Sequence, residues 1–500
     1  MDALFELIQS LSPAEKGYFK KFAGKAENAE ANNNLRLFEI LEEQEDYNEA
    51  AAKKSLGKEK SANQFSVAKN YLYNSILKAL TAYHEDFSLE IILRNYFSQV
   101  DLLTHRGLFQ QALKTAQRAK VFAQKLERWD SVMQFNGLQR NLLLKAKPDD
   151  DSLSLKQLLQ EFKEAQQQQQ LIVDLEVMLQ QQNTLINQSM NARSAEMLKA
   201  NKDLFNTAIK KQPSCKRASH LLHCIRLNYF LHIDERAKAY KEAAAILTIC
   251  SGFDYFNKYE TLSLLNAYNQ FLHAAFYTGE WKELEKKLKE LHALSLRSEL
   301  EQLWQFCYYA PFALAYYDKT GNKQAIEKLF IEAEKEVKQH RDKLRPDIFF
   351  GLIISFTSGL LEYGKYDKAV DWIDIYRNAP RLKQHYDNQS SVLILQLIAH
   401  YELGNLVLIN SIIKNIEYFI KTNKQKSKFE NLVLKFFRTL TAKAPSEKTT
   451  ASLSKLHKEV QALASGNVLN KSRVIYPVVA GFMQSKIAGK PYHQFIGGHL

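Results

Sequence analysis

Apolar residues recur along this chain at helical spacing, and five glycines interrupt them at equivalent points of the pattern. Each glycine follows one apolar helical run and precedes another; they are Gly107, Gly279, Gly321, Gly364 and Gly404. Glycine is favoured just after a helix C-terminus, because it adopts a left-handed conformation without the penalty that a Cβ imposes. The pattern therefore predicts helical hairpins that turn at these glycines.

Apolar residues also follow each glycine at fixed offsets. Five positions on are Ala112, Leu284, Ile326, Ala369 and Ile409, and nine positions on are Ala116, Leu288, Phe330, Ile373 and Ile413. Because the two offsets differ by four, both positions lie on one face of the second helix. We predict that this face is buried against the neighbouring helices.

The spacing of the glycines indicates an internal repeat. The last four lie 42, 43 and 40 residues apart, and Gly107 precedes Gly279 by 172 residues, which is four intervals of 43. Further helix breaks are expected at Pro148–Asp151, Asn191, Asp234 and 444–447. We predict an all-α chain, an α-α superhelix built from about nine helical hairpins of about 42 residues.

The local pattern Gly-x-Tyr-x-x-Ala, found at Gly364, Tyr366 and Ala369, resembles the turn and second-helix start of tetratricopeptide (TPR) repeats. The resemblance covers roughly residues 88–465, with an interval of about 42 residues against 34 in that family. Bulkier residues replace the small residue that the family has seven positions before the turn glycine: Val100, Leu272, Leu314, Thr357 and Leu397. The resemblance implies a TPR-like α-solenoid with longer helices.

The two ends of the chain depart from the repeat. Ser12–Glu15 has the sequence of a capping box, in which Ser12 and Glu15 satisfy each other's backbone amides. Because the ends of a solenoid need polar cover, we predict a helical N-terminal capping domain over 1–86. The solenoid is expected over 87–465, and a capping helix with a tail over 466–500. The chain also resembles uncharacterised bacterial helical-repeat proteins that begin in this way, which implies no activity.

Composition supports long helices and few connections. The 500 residues include only 17 Gly and 9 Pro, each about half of average usage or less. The start of the chain shows no secretory signal, and its longest apolar stretch, 348–361, is shorter than the roughly 20 residues of a membrane-spanning helix. We expect a cytoplasmic protein without a membrane segment.

Positive charge is concentrated in the last fifth of the chain. Residues 405–500 hold 13 Lys and 2 Arg against 4 Glu and no Asp, so they carry +11 of the total +13. The candidate polyanion contacts are Lys421, Lys424, Lys426, Lys428, Lys435 and Arg438. One interpretation is a nucleic-acid-associated regulator that uses 405–500 and the N-terminal helices, which also resemble the outline of a helix-turn-helix. The other is a solvated turn whose lysines favour helix C-termini.

Linear signatures of catalysis and of phosphate binding are missing from the sequence, so no catalytic residue is nominated and a non-enzyme is expected. The densest group of potential metal ligands consists of Cys215, His220, His223 and Cys224, with His232 further on. Their spacing matches no structural zinc module, and four scattered cysteines are typical of small core residues. We expect neither a metal nor a cofactor.

Aromatic residues provide the remaining candidates. The first helix of one repeat carries Tyr308, Tyr309, Tyr316 and Tyr317, which are candidate contacts for a bound peptide. Packing between hairpins is the alternative explanation. We expect a scaffold or adaptor that binds a protein or peptide partner, because stacked hairpins leave an extended concave surface. The sequence identifies neither the partner nor the oligomeric state.

Overall fold

The computed structural model describes residues 2–24, 29–55, 62–146, 154–189, 195–340, 343, 346–379, 386–422, 428–442, 447–465 and 475–495. These residues form 24 α-helices and one five-residue π-helix, Tyr255–Tyr259, and none of them lies in a β-strand. The prediction of an all-α, solenoid-like fold is confirmed. The chain divides into two compact units, residues 1–169 and 170–500.

The first unit begins with five helices and continues into the repeat. Its helices are α1 (Ala3–Ser10), α2 (Pro13–Gly24), α3 (Ala29–Glu42), α4 (Glu49–Ser55), α5 (Ala62–Tyr83), α6 (Leu89–His105), α7 (Phe109–Lys125), α8 (Trp129–Ala146) and the first part of α9 (Leu155–Ser189).

The second unit contains the rest of α9 and a series of helix pairs. Its other helices are α10 (Ala195–Ala208), α11 (Lys216–His232), α12 (Arg236–Ser251), α13 (Thr261–Thr278), α14 (Trp281–His292), α15 (Glu299–Lys319), α16 (Lys323–His340), α17 (Pro346–Glu362), α18 (Tyr366–Arg377), α19 (Tyr386–Glu402), α20 (Leu406–Thr422), α21 (Lys428–Ala442), α22 (Glu447–Ser465), α23 (Ile475–Ile487) and α24 (Tyr492–Phe495).

The five predicted turn glycines share one hydrogen-bonded geometry. Their φ angles lie between 68° and 77°. Each glycine N–H donates to the carbonyl three residues earlier, and the next N–H donates to the carbonyl five residues before it, at 2.8–2.9 Å. This pair of bonds defines a Schellman motif, which satisfies the last carbonyls of the first helix. The predicted hairpin turns are confirmed.

Two further turns have the same bonds without a glycine. Asp234 has a φ of 62° and Glu127 a φ of 55°, and each is followed by an N–H that bonds the carbonyl five residues back. The predicted break at Asp234 is therefore confirmed. The turn at Glu127, between α7 and α8, is missing from the sequence prediction, because glutamate is not a signal for the left-handed conformation.

The predicted apolar face of each second helix is buried. All five residues at the first offset are fully buried, and the five at the second are at most 5% exposed. This face contributes to the continuous core of the second unit in α14, α16, α18 and α20. In the first unit, Ala112 and Ala116 of α7 pack with Val100 and Leu142. Burial at both offsets confirms the interpretation of the periodicity.

The repeat pattern is altered around α9. An interval of about 42 residues predicts a break near residue 171, between the second helix of one hairpin and the first helix of the next. Instead, α9 continues for 35 residues through this point. Two hairpins in this region would contain four helices, but the structure describes three, α8 to α10. The expected count of about nine hairpins is therefore not confirmed. The other breaks expected here fall at 147–153 and 190–194, outside the described residues.

The N-terminal helices have a core of their own. Ile8, Phe19, Phe38 and Phe65 of α1, α2, α3 and α5 are among its buried side chains. The capping box is present: the Ser12 N–H donates to Glu15 Oε2 at 2.8 Å, and the Glu15 N–H donates to Ser12 Oγ at 3.3 Å. The boundaries 1–86, 87–465 and 466–500 stay predictions.

The turn glycines allow a test of backbone strain. Ala at Gly321 (φ 68°) meets no atom within 4 Å, whereas a Cβ at Gly364 lies 3.1 Å from His493 Cγ. We expect Gly321→Ala to lower the free energy of unfolding by about 1–2 kcal/mol from φ strain alone. Gly364→Ala also has to displace the His493 side chain, so it should lower the free energy of unfolding by more than Gly321→Ala does. Urea denaturation followed by circular dichroism measures both.

Gly351→Ala is the matched control, because Gly351 lies inside α17, has an ordinary φ and has open space around it. Alanine is the better helix former, so this change should stabilise the protein by about 0.5–1 kcal/mol. If all three variants changed stability equally, the assignment of strain to the turns would be wrong.

Candidate functional site

The first helices of successive hairpins form a common face in the second unit. α13 packs against α15, α15 against α17, and α17 against α19. A cleft of about 720 Å³ lies on this face and is lined by residues of all four helices. This volume is in the range of ordinary ligand pockets, about 300–1,000 Å³.

Helices α13 and α15 supply the amide and aromatic part of the lining. On α13 the lining residues recur every three or four positions, so one helical face is turned to the cleft. They include Leu262, Asn266, Asn269, His273, Phe276 and Tyr277. On α15 they include Trp304, Cys307, Tyr308, Pro311, Phe312 and Ala315. The cleft wall thus combines aromatic surface with amide groups.

Small residues on α17 create the space. Gly351, Ser355, Ser358 and Gly359 line the cleft where larger side chains would fill it. At Gly359 a Cβ would lie 3.0 Å from Leu314 Cδ2 on α15, so this glycine also permits close approach of the two helices. The apolar stretch at 348–361 is therefore a core helix with one small-residue face.

Two polar groups in the cleft lack an ordinary partner. The Ser358 side chain is only 5% exposed, and its hydroxyl has no hydrogen-bond partner in the structure. Pro311 lies inside α15 and has no N–H, so the carbonyl of Cys307 lacks its helical hydrogen bond. A buried polar group without a partner is costly, and a ligand that supplies a hydrogen bond would relieve that cost.

Charge is missing from the cleft wall. Among the described residues that line it, none is Lys, Arg, Asp or Glu. Binding a phosphate chain needs cations, which this lining lacks. The lining instead suits an uncharged segment with apolar side chains and amide groups.

The four candidate tyrosines are divided between two sides of α15. Tyr308 lines the cleft. Tyr309 and Tyr317 share a hydrogen bond between their hydroxyls at 2.9 Å, and the Tyr309 ring packs beside His292 of α14. Tyr316 hydrogen-bonds Glu285, also on α14. The structure therefore places only Tyr308 in the cleft, and the sequence interpretation missed Pro311 and the small residues of α17.

The candidate polyanion contacts are spread along α20 and α21. Lys421 lies in the last turn of α20, and Lys428 begins α21; both are exposed, as is Lys435. Arg438 forms an ion pair with Glu417 of α20. Lys424 and Lys426 lie outside the described residues. Four of the six candidate polyanion contacts are thus described, and the charge of one of them, Arg438, is balanced by Glu417.

Within the Cys and His group, His220 and Cys224 are packed against each other. Cys224 Sγ lies 3.7 Å from His220 Nε2, and the His220 ring packs against Phe256. Burial raises the pKa of the Cys224 thiol to about 12 and lowers the pKa of His220 to about 4. Within the described ranges, no three His, Cys, Asp or Glu side chains are grouped as a metal site.

A polar cluster that sequence reasoning missed lies beside α24. Tyr492 of α24 is fully buried, and Tyr366 of α18 hydrogen-bonds His493 Nδ1 at 2.9 Å. Glu402 of α19 forms an ion pair with Lys486 of α23. Burial, together with the charge of Asp318, raises the pKa of Glu362 to about 8. The expected tail after α23 is therefore partly a packed element.

Comparison of the sequence with profiles of protein families and with curated proteins gives no significant match. In the part of the chain that the structure describes, no helix is both long enough and apolar enough to cross a bilayer.

Proposed function

We propose that this chain is a non-enzymatic scaffold or adaptor of the TPR-like type, which binds a segment of a partner protein in the cleft on α13, α15 and α17. The observation that carries the proposal is the uncharged lining, in which aromatic and amide side chains line the same cleft as the buried, unpartnered Ser358 hydroxyl. Asparagine amides donate and accept hydrogen bonds, as peptide groups do. Aromatic walls supply apolar contact area.

Support for the TPR-like interpretation comes from the hairpin turns. At Gly364 the left-handed turn, Tyr366 at the start of α18 and the fully buried Ala369 correspond to the pattern that resembles TPR turns. Repeat scaffolds of this kind bind peptide segments on the face formed by stacked helices. The cleft lies on such a face.

A photocrosslinking phenylalanine analogue at Phe312 tests the proposal in cells. Phe312 lines the cleft, whereas the control position, Ile331 on α16, is 67% exposed and outside it. We expect a crosslinked polypeptide from position 312, identified by mass spectrometry, and no such product from position 331. Introducing Ser355→Arg should reduce the yield of the crosslinked product at least tenfold. The arginine side chain would occupy the cleft and place a charge against the uncharged segment. Equal crosslinking from both positions would contradict the proposal.

The nucleic-acid alternative stays a prediction of the basic segment 405–500. It requires RNA or DNA binding that weakens steeply with salt and is lost when Lys421, Lys428 and Lys435 are neutralised.

A further inference from the structure

Helix α23 does not follow the stacking order of the hairpins. From α13 to α19, the first helix of each hairpin contacts the first helix of the next, as in α13–α15, α15–α17 and α17–α19. α23 packs against α22, which precedes it, but it also contacts α17 and α19. These two helices belong to earlier hairpins. α23 therefore lies on the face that the first helices form.

One side of α23 is packed onto that face through aromatic contacts. Phe482 is fully buried, stacks on Phe437 of α21 with ring centroids 5.2 Å apart, and meets the edge of Tyr401 of α19 at 5.7 Å. Tyr476 packs on Phe429 at 4.0 Å. The buried residues of α23 otherwise are Ile475, Val478, Val479, Met483 and Ser485. The face thus accommodates an α-helix that presents apolar side chains.

The same face continues beyond α23 as the open cleft. Ile475, Pro477 and Val478, at the N-terminal end of α23, line the cleft together with α13, α15 and α17. Apart from the Lys486–Glu402 ion pair at its last turn, α23 buries mostly apolar side chains, and the open cleft is uncharged. The chain's own helix occupies one stretch, and the neighbouring stretch is open.

We infer that the segment bound in the cleft is an α-helix of the partner protein with an uncharged, aromatic or aliphatic face, seated beside α23. This inference rests on the proposed function and specifies its ligand. Such a helix presents anchors at positions i, i+3, i+4 and i+7, which match a groove formed by several helices. A single polar side chain on that face, such as Gln or Ser, would pair with Ser358 and Asn269.

Synthetic peptides test the inference on the full chain. The first probe is a fluorescein-labelled 16-residue Ala/Gln/Lys peptide with Leu and Phe at i, i+3, i+4 and i+7 and Lys confined to the opposite face. The second is the same peptide with one central residue replaced by proline, which prevents a continuous helix. The third carries Lys at two anchor positions. Fluorescence anisotropy should show at least tenfold tighter binding of the first peptide than of the other two.

Substitutions in the protein locate the binding. Ser355→Arg and Asn266→Arg should each weaken binding of the first peptide at least tenfold, and Ile331→Arg should leave it unchanged. Asn266 is exposed at the cleft on α13, so its substitution reports on binding even if Ser355→Arg impairs folding. Binding of the first peptide that neither cleft substitution weakens would overturn the inference.

The outcomes separate the inference from the proposed function. If the proline peptide bound as tightly as the helical one, the ligand would be an extended segment; the helix inference would be wrong and the binding function would stand. If no peptide bound and position 312 crosslinked to no polypeptide, both would be wrong. A 16-nucleotide RNA that competed with the helical peptide at equal concentration would also overturn the inference.

Discussion

Replacing Phe482 with alanine should lower the free energy of unfolding of residues 170–500 by about 3–5 kcal/mol. Phe482 is fully buried at the centre of α23 and contacts aromatic rings of three other helices, at Tyr401, Phe437 and Tyr492. Truncation removes the buried apolar area and leaves a cavity that rigid neighbours do not fill. Urea denaturation followed by tryptophan fluorescence and circular dichroism measures the loss.

Tyr418→Ala in α20 is the matched control for this change. Tyr418 is 72% exposed, so removal of its ring should change stability by less than about 0.5 kcal/mol. Comparable losses in the two variants would show that α23 does not contribute to the core as described.

Stability should fall as the pH rises from about 4.5 to about 8 and then level off, and Glu362→Gln should reduce this dependence. The pKa of Glu362 is raised to about 8 by burial at the end of α17 and by the nearby carboxylate of Asp318. In the unfolded chain the same carboxyl has an ordinary pKa near 4.5. Between these values the folded state holds a proton that the unfolded state has lost, so raising the pH favours unfolding.

Glutamine matches the size of the protonated carboxyl group and cannot ionise. At pH 5 the variant and the natural chain should be similar in stability, and at pH 9 the variant should be more stable by a few kcal/mol. Asp367→Asn, at an exposed position in α18, is the control, and its difference in stability from the natural chain should be the same at pH 5 and pH 9. Parallel pH profiles for Glu362→Gln and the natural chain would contradict the raised pKa.

The hairpin turns were predictable because their cause is local. A glycine at the end of an apolar run, with apolar residues five and nine positions on, determines a left-handed turn and the buried face that follows. Glu127 adopts the same turn without the residue that signals it. The continuous helix α9 departs from the spacing of the repeat because the sequence there, Gln166–Gln170, favours helix and contains no Gly or Pro.

Of the cleft residues, only Tyr308 was predicted from the sequence, because tyrosine is common among residues that contact a bound peptide. Its other features depend on how separate helices assemble. Small residues on α17 form a cavity only when α13 and α15 stand opposite them, and the course of α23 across earlier hairpins is not a local property of its sequence. Ser358 becomes an unpaired hydroxyl only in that assembly. Pro311 was the one overlooked local signal, since a proline inside a helix frees a carbonyl.

Helix α9 restricts how this chain could gain or lose modules. Where hairpins are bounded by separate turns, as between Gly321 and Gly404, one hairpin of about 42 residues can be duplicated or excised without cutting a helix. The new junction then joins two equivalent turns. From Leu155 to Ser189 one continuous helix, α9, takes the place of the second helix of one predicted hairpin and the first helix of the next. Excising either of these two hairpins alone would cut through α9, so a deletion or duplication that keeps the helix whole has to include both hairpins.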